Sequence, residues 1–496
     1  MELGSIWVIP ICIVLGVLAL KWILQGANGW LYETKLGEIQ YSLPPGDLGW
    51  PFIGNMWSFL RAFKSTDPDS FMRTFTTRYG RTGIYKAFMF GKPSVFVTSP
   101  ETCRRVLTDD DAFQSGWPKS TMELIGNKSF LAISLEEHKI LRRLTASPVN
   151  GHEALSLYVN YIEEIVISAL EKWSTMGEIE FLTQLRKLTF RIIMYIFLGS
   201  ESELVEESLQ KEFTALNYGV RSMAINLPGF AYHKALKARK NLVAILQSAI
   251  DKRRNQRKEN ISSKKKDMMD ALIDVEDETG RKLIDEEIID VLLTYLNAGH
   301  ESSGHITMWA TVLLQQHPEF LQKAKEEQEE IIRRRLPTQK GLTLKEVREM
   351  TYLSKVIDET LRLITFSLVV FREAKSDVNI NGYVIPKGWK VLVWFRSVHL
   401  DHEIYPNPKE FNPSRWDNHA PKAGTFLPFG TGSRLCPGKD LAKLEISIFL
   451  HHFLLNYKLE RLNPGSSSLY LPHSRPKDNC MAKIKKTPYS LVKKQM

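Results

Sequence analysis

"FGTGSRLCPG", residues 429–438, sets one cysteine, Cys436, on a loop with glycines at 430, 432 and 438, just ahead of the apolar run "LAKLEISIFLHHFLLNY" at 441–457. Glycines without a Cβ let a flat group come close to the backbone. Backbone N–H groups around the cysteine, with the N-terminal end of the helix that follows, are expected to lower the thiol pKa and to hydrogen-bond to the sulfur. Arg434 offers positive charge to an anionic group nearby. The loop therefore suits a lone thiolate presented to a planar anionic cofactor. A buried structural cysteine in a glycine-rich turn is the other reading of the same residues.

A second stretch carries chemistry: "AGHESSGH", 298–305, inside a long apolar segment. A zinc-peptidase helix needs its second histidine four residues after the first, so that both rings share a face. Here Gly304 stands at that place and the histidine is His305. At about 100° per residue, His300 and His305 point about 140° apart. They do not share a metal on a regular helix, and both read as structural. Small residues at 298 and 299 beside an acid and a hydroxyl, Glu301 and Ser302, call for another explanation.

The bulk composition narrows the classes. With 496 residues, 43% of them hydrophobic, the chain can bury a large core. Its four cysteines, Cys12, Cys103, Cys436 and Cys480, are scattered with no C-x-x-C pair, so a disulfide framework is excluded and a cytosol-facing body with reduced thiols is expected. A net charge of +10 is modest for this length, and no basic stripe with interleaved aromatics appears, so nucleic acid is not expected as a partner. "GSIWVIPICIVLGVLAL", Gly4–Leu20, carries no charge. Extended to Leu24 it spans about 30 Å as a helix, the thickness of a hydrocarbon core, with Lys21 and Trp22 placed for the interface. A secretory signal would carry basic residues before the apolar run, and here only Glu2 is charged. The expected organisation is a single-pass membrane anchor with a linker over 1–42, followed by one catalytic domain over 43–496.

Along the body, "LPPGDLGWPFIGN" at 43–55 reads as a hinge, because its prolines and glycines cannot continue a helix. Residues 83–100 read as a β-hairpin followed by a helix capped by Ser99-Pro100. Residues 150–250 are helical in pattern, and the Lys/Arg-rich 252–267 reads as a solvated linker. Asp285–Gln316 is one long apolar helix stopped before Pro318. Residues 378–395 form a hairpin about Asn381-Gly382 and a following strand. The fold class is mainly α, with a smaller β-rich region.

Four motifs together decide between the alternatives. Phe429, Gly432, Arg434, Cys436 and Gly438 match F-x-x-G-x-R-x-C-x-G. "ETLR" supplies Glu359 and Arg362, "FNPSRW" supplies Arg415, and "AGHESS" matches A/G-G-x-D/E-T-T/S. In this order they make the chain resemble the cytochrome P-450 family of haem-thiolate monooxygenases. The resemblance implies haem b, with Cys436 as the axial ligand of its iron. It implies a buried Glu359–Arg362–Arg415 cluster and an oxygen-binding groove opened by a kink at Ala298 and Gly299. Glu301 and Ser302 would relay protons there, with Ser302 where the family usually has threonine. "HKILRR" at 138–143 takes the place of the family's propionate-binding segment, so His138, Lys139 and Arg142, with Arg372 and Arg434, are the expected haem-propionate donors. No G-x-G-x-x-G follows a strand, so electrons from NADPH would come through a separate reductase.

Further stretches, "MELIGNKSFLAIS", "RIIMYIFLGSESE", "NYGVRSMAINLPGFAYHKALKARKNL" and "RLITFSLVVFREAK", are similar to plant members of the family that oxidise a tetracyclic diterpene acid in three turns. A related plant oxidase of triterpenes is the alternative, and a haem protein for electron transfer or sensing is disfavoured because its groove motif would be idle. The resemblance implies an endoplasmic-reticulum membrane protein with its catalytic body in the cytosol. It also implies an apolar cavity walled by 115–130, 215–232, Tyr295–Gly299 and Thr365–Val370, closed by the turn at 470–478. A buried carboxylate needs a partner. Of Lys119, Lys128, Arg221 and Arg475, Arg221 is the expected one, as the lone charge in an apolar stretch.

Overall fold

In the computed structural model, which describes residues 3–36, 41–199, 202–258, 267–417, 421–471 and 473–487, the long apolar segment forms a single helix, Asp285–Gln316. We call it the groove helix. Acids at 285, 286 and 287 favour its positive N-terminal end, and the backbone N–H of Ile284 donates to Glu287 Oε2 at 3.1 Å. It stops at His317, because Pro318 cannot supply the next N–H. Being apolar around most of its circumference, it must lie inside. It packs against the helices Phe181–Leu198, Thr351–Ile364 and Lys439–Asn456, which share one large core with it.

The closest approach is to Phe181–Leu198. A Cβ at Gly299 would come within 2.7 Å of Ile193 Cδ1, and one at Gly304 would sit 3.4 Å from the backbone of Leu185 and Arg186. Both glycines of the opening patch therefore admit a neighbouring helix. The helix is continuous through 298–302. Side-chain hydroxyls take carbonyls in this turn: Thr189 Oγ1 donates to His300 O at 2.5 Å and Ser302 Oγ to Ala298 O at 3.0 Å.

The β region joins distant parts of the chain, as the sequence pattern suggests. One five-stranded sheet has the order Ile84–Met89, Lys92–Val97, Lys390–Trp394, Val369–Ala374, Phe113–Ser115. Its second and third strands pair in parallel and the rest antiparallel. The Val378–Ile380/Tyr383–Ile385 hairpin turns at Asn381 and Gly382, whose φ of 53° and 83° are the left-handed values a tight hairpin requires. Ser99 caps Pro100–Thr108 by accepting from Thr102 N at 3.3 Å.

Three segments differ from expectation. The stretch 43–55 is no free hinge: Lys86 N donates to Pro45 O and Asn55 N to Phe88 O, both at 2.9 Å, which buckles it onto the first hairpin. The basic run at 252–258 is the end of the helix Ala231–Lys258, where buried Arg253 pairs with Asp267 at 2.5 Å. The rest of that run, 259–266, lies outside the described residues. The N-terminal helix, Leu3–Glu33, continues well past Leu24. Its part from Val14 to Glu33 is long and apolar enough to cross a membrane, with exposed Val14, Leu15, Val17, Leu18 and Leu20. Its end belongs to the body, for Asn28 bonds the carbonyls of Leu48 and Trp50, and Glu33 pairs with Lys86 at 2.9 Å.

Candidate active site

A cavity of about 410 Å³ lies between the groove helix and the cysteine loop. The loop is tied by its own backbone. Cys436 N donates to Phe429 O at 3.0 Å and Leu435 N to Gly432 O at 3.1 Å. Gly430 and Gly432 have φ of 71° and 75°, and a Cβ on Gly432 would meet Leu107 O at 2.5 Å. A Cβ on Gly430 or Gly438 would meet nothing within 4 Å, and both line the cavity. The loop's neighbours thus leave a flat open space beside Cys436, which also lines it together with Phe429. Against expectation, the thiol is pushed up. Burial outweighs the opposing pulls of the Gly438 N–H and the Arg142 charge.

Basic side chains gather on the same cavity: His138, Arg142, Arg372 and Arg434. Arg372 is 2% exposed, and its Nε, like Arg434 Nε and His138 Nδ1, is buried without a hydrogen-bond partner. Arg434 Nη1 donates to Phe130 O at 2.9 Å, and Arg372 Nη2 to Leu107 O at 3.3 Å. Burial, then the charge of Arg434, brings Arg372 down to about 10. Burial, then Arg434, Arg142 and Arg372, brings His138 down to about 3, so its ring acts as a neutral donor. Buried donors without partners around an open, glycine-lined slot with a cysteine fit haem: its carboxylate side groups would satisfy the donors and the cysteine sulfur would hold the iron. Lys139 is not part of this set. One turn geometry turns it to solvent, where it pairs with Glu136 at 3.0 Å. Of the adjacent arginines, Arg142 faces inward, whereas Arg143 reaches Glu278 at 2.9 Å.

On the groove helix, Ala298, Gly299, Ser302 and Ser303 line the cavity. Glu301 does not. It points to a buried cluster in which Arg221 ion-pairs with its Oε2 and Arg186 lies 3.4 Å from its Oε1. Burial by itself would push the Glu301 carboxyl up, but Arg221 and Arg186 overcome this and hold it down to about 2. Arg221 is thereby taken up by a protein carboxylate, and its expected part as partner of a substrate carboxylate is corrected. Among the described residues, the segments 215–232 and 470–478 likewise add none to this cavity, whereas Ser115, Trp117, Phe130, Leu131, Tyr295, Phe366, Ser367 and Val370 do. His300 and His305 are structural, each bonding the carbonyl four residues back through Nδ1, at 2.7 Å.

The cluster behind the loop is built tightly. Arg362 Nε and Nη2 bond Glu359 at 2.9 and 2.8 Å, Arg415 Nε does so at 3.3 Å, and Trp416 Nε1 donates at 3.1 Å. Arg362 Nη1 also donates to His399 O and Pro408 O at 2.8 and 2.7 Å. Buried His399 in turn takes the Leu427 N–H on Nε2 at 2.9 Å, two residues before Phe429. The helix Thr351–Ile364 is so tied, through one arginine and one histidine, to the entrance of the cysteine loop.

Sequence reading missed three site residues: Arg186, the second cation on Glu301; Asp290, taken up below; and Glu445. Each is a charged residue in an apolar helical run, which is the signal that could have found it. Glu445 lines the cavity, and neither carboxyl oxygen has a partner of normal hydrogen-bond geometry. Burial pushes it up to about 8, against a smaller pull from the Ser303 hydroxyl. Between its ordinary pKa of 4.5 and about 8, the native state holds a proton that the unfolded chain has released, so stability falls as pH rises through that window. Glu445→Gln is expected to gain on the wild type between pH 5 and pH 8 by up to a few kcal/mol. Urea unfolding at the two pH values checks this, and a constant difference would refute it.

The Cytochrome P450 family matches residues 44–474. Ent-kaurenoic acid oxidase 2 of Arabidopsis thaliana is 72% identical over 96% of this chain and 97% of its own length. Ent-kaurenoic acid oxidase 1 of the same plant is 70% identical over 95% and 96%. Among solved structures, retinoic acid-bound cyanobacterial CYP120A1 is similar with a TM-score of 0.81 and 29% identity, over 90% of this chain and all of that one.

Proposed function

The chain belongs to the cytochrome P450 family, and from that premise we propose that it is an ent-kaurenoic acid oxidase of gibberellin biosynthesis. It is a monooxygenase with haem iron as cofactor and a redox partner as electron source. The proposed reaction hydroxylates ent-kaurenoic acid at carbon 7, oxidises the product with ring contraction to gibberellin A12-aldehyde, and oxidises this to gibberellin A12. The observation that carries the reading is the near full-length identity to two such oxidases together with a cavity bounded by Cys436 and Ser302. The test is to incubate membranes holding the chain and a reductase with ent-kaurenoic acid and to identify products by mass spectrometry. Turnover of β-amyrin but not of ent-kaurenoic acid would replace the substrate.

Haem, when bound, supplies the activation of dioxygen and the oxidation of an unactivated carbon. Cys436 would hold its iron, and Arg142, Arg372, Arg434 and His138 would hold its carboxylates. The apolar wall of Phe366, Val370, Phe130 and Leu131 orients the terpenoid and keeps water out. Ser302 Oγ, bonded back to Ala298 O, holds a proton at the cavity surface. Glu301, held as a carboxylate by Arg221 and Arg186 and turned away from the cavity, has no proton to pass to Ser302 in this arrangement. Ser302→Ala is expected to keep haem and substrate binding while uncoupling NADPH use from product. Loss of a proton-relay group costs about 10²–10⁴ in rate, less where water substitutes. Unchanged coupling would remove Ser302 from the mechanism.

The N-terminal helix is compatible with a membrane anchor. We place it in the endoplasmic reticulum, with the body cytosolic and an NADPH-dependent flavoprotein reductase as electron donor. Protease added to sealed microsomes is expected to digest residues 60–496; their protection would reverse the orientation.

A further inference from the structure

One buried carboxylate on the groove helix controls a wall of the cavity it does not touch. Asp290 lies eight residues before Ala298, about 12 Å along the helix, and its side chain is 1% exposed. Its Oδ1 accepts from Arg239 Nη2 at 2.7 Å, and its Oδ2 from the backbone N–H of Lys128 at 2.9 Å. Arg239 stands on another helix, Ala231–Lys258, and its Nη1 also donates to Leu124 O at 3.2 Å and Ile125 O at 2.8 Å. Leu124–Lys128 is therefore held at three backbone groups by one arginine and one carboxylate. Gly126, between them, has a φ of 126°, and a Cβ there would lie 2.0 Å from Asp290 Cγ. Any larger residue would evict the carboxylate.

What the clamp fixes comes next in the chain. Ser129 Oγ returns to Gly126 O at 2.6 Å, and the two side chains after this turn, Phe130 and Leu131, line the cavity. Phe130 packs on Tyr295 of the groove helix with ring centroids 5.5 Å apart. The helix that supplies Ala298, Gly299 and Ser302 thus also sets, through Asp290, the wall that shares the cavity with them. A buried ion pair is a poor source of net stability, since apolar packing of the same volume does as well. Its distinctive yield is a fixed geometry for the groups bonded to it.

We propose that Asp290 and Arg239 are positioning residues that lock Phe130 and Leu131 against the groove helix and so set which carbon of the bound terpenoid meets the reaction centre from one turnover to the next. This rests on the reading above that one substrate is oxidised three times at neighbouring carbons. Between turns the bound molecule gains oxygen and changes shape, and only a wall that does not yield keeps it in register.

The test uses the full-length enzyme with haem, in membranes with a reductase. Asp290→Asn keeps the acceptor for Lys128 N and nearly the same volume but removes the charge facing Arg239. Gly126→Ala pushes on the carboxylate from the other side. Arg239→Lys keeps the charge without the fork and serves as partial rescue. Haem content, the ratio of 7-hydroxy acid and aldehyde to final acid, and amide hydrogen exchange over 124–131 are measured for each. Asp290→Asn and Gly126→Ala are expected to retain haem, to exchange faster at 124–131, and to raise the share of partly oxidised products by about tenfold or more, since misplacement by 1 Å can cost about 10²-fold. Arg239→Lys should fall between them and the wild type. Unchanged exchange in Asp290→Asn would overturn the clamp whatever the substrate is. Faster exchange with an unchanged product ratio would leave the pair a stabilising contact only and overturn its positioning role. A wild type that makes no gibberellin A12 would instead sink the substrate reading.

Discussion

Cys436→Ala is expected to abolish the thiolate-type carbon monoxide spectrum completely, with no fractional loss. The sulfur lines the cavity beneath a loop whose glycines leave open space beside it, and among the residues lining that cavity it is the one thiol. Burial pushes its thiol pKa up, and haem iron, when bound, would favour the thiolate there. Alanine has no atom to give. Cys103 and Cys480 are buried elsewhere and Cys12 is exposed on the N-terminal helix, so serine at any of the three is expected to preserve the spectrum, whatever it costs in packing. Reduced, carbon monoxide-treated membranes of each variant provide the measurement. A normal spectrum from Cys436→Ala would refute both the ligand assignment and the haem site built around it.

Arg362→Ala is expected to yield no folded protein able to take up haem. Glu359 and Arg362 are both fully buried. Truncating the arginine takes two charged donors from the buried Glu359 carboxylate, leaving it Arg415 and Trp416, and leaves the carbonyls of His399 and Pro408 without the arginine donor. Breaking a buried pair of this kind costs about 3–5 kcal/mol, out of a total stability of about 5–15 kcal/mol. Arg362→Lys keeps the charge but lacks the planar fork for two partners, and is expected to fold with a lowered Tm and reduced haem content. Thermal unfolding by circular dichroism and haem quantitation report the outcome. An Arg362→Ala protein melting within about 1 °C of the wild type, a shift worth about 1 kcal/mol for a chain of this length, would show that the cluster does not hold the loop's entrance.

Several features were legible in the chain because they are local. The groove helix has its bounds written in acids at 285–287 and in Pro318, and the hairpin at Asn381-Gly382 in the residue types that best tolerate its backbone angles. The glycines of the loop at 429–438 suited a thiol with space beside it, and the three further motifs decided that reading over a structural cysteine. Charged side chains behaved otherwise. Lys139 sits in the expected segment yet faces solvent, because helical phase sends it away from the side that carries His138 and Arg142. Segment 43–55 reads as a hinge because proline and glycine mark where a helix stops, not which strand the stopped chain is then bonded to.

The sequence by itself determined the mainly α body with its smaller β region, the N-terminal apolar helix, the cysteine loop, and the residue types at the groove. Periodicity, turn chemistry and spacing act over a few residues, and they are written where they act. Only the tertiary structure decided which charges meet. Arg221 was open to a substrate until folding set Glu301 against it, Asp290 was one acid among many until Gly126 and Arg239 closed on it, and Glu445 became a neutral carboxyl only by losing water. The physical reason is that a buried charge takes its partner and its protonation from whatever the fold brings within a few ångströms, and neither separation nor desolvation is encoded in the order of residues along the chain.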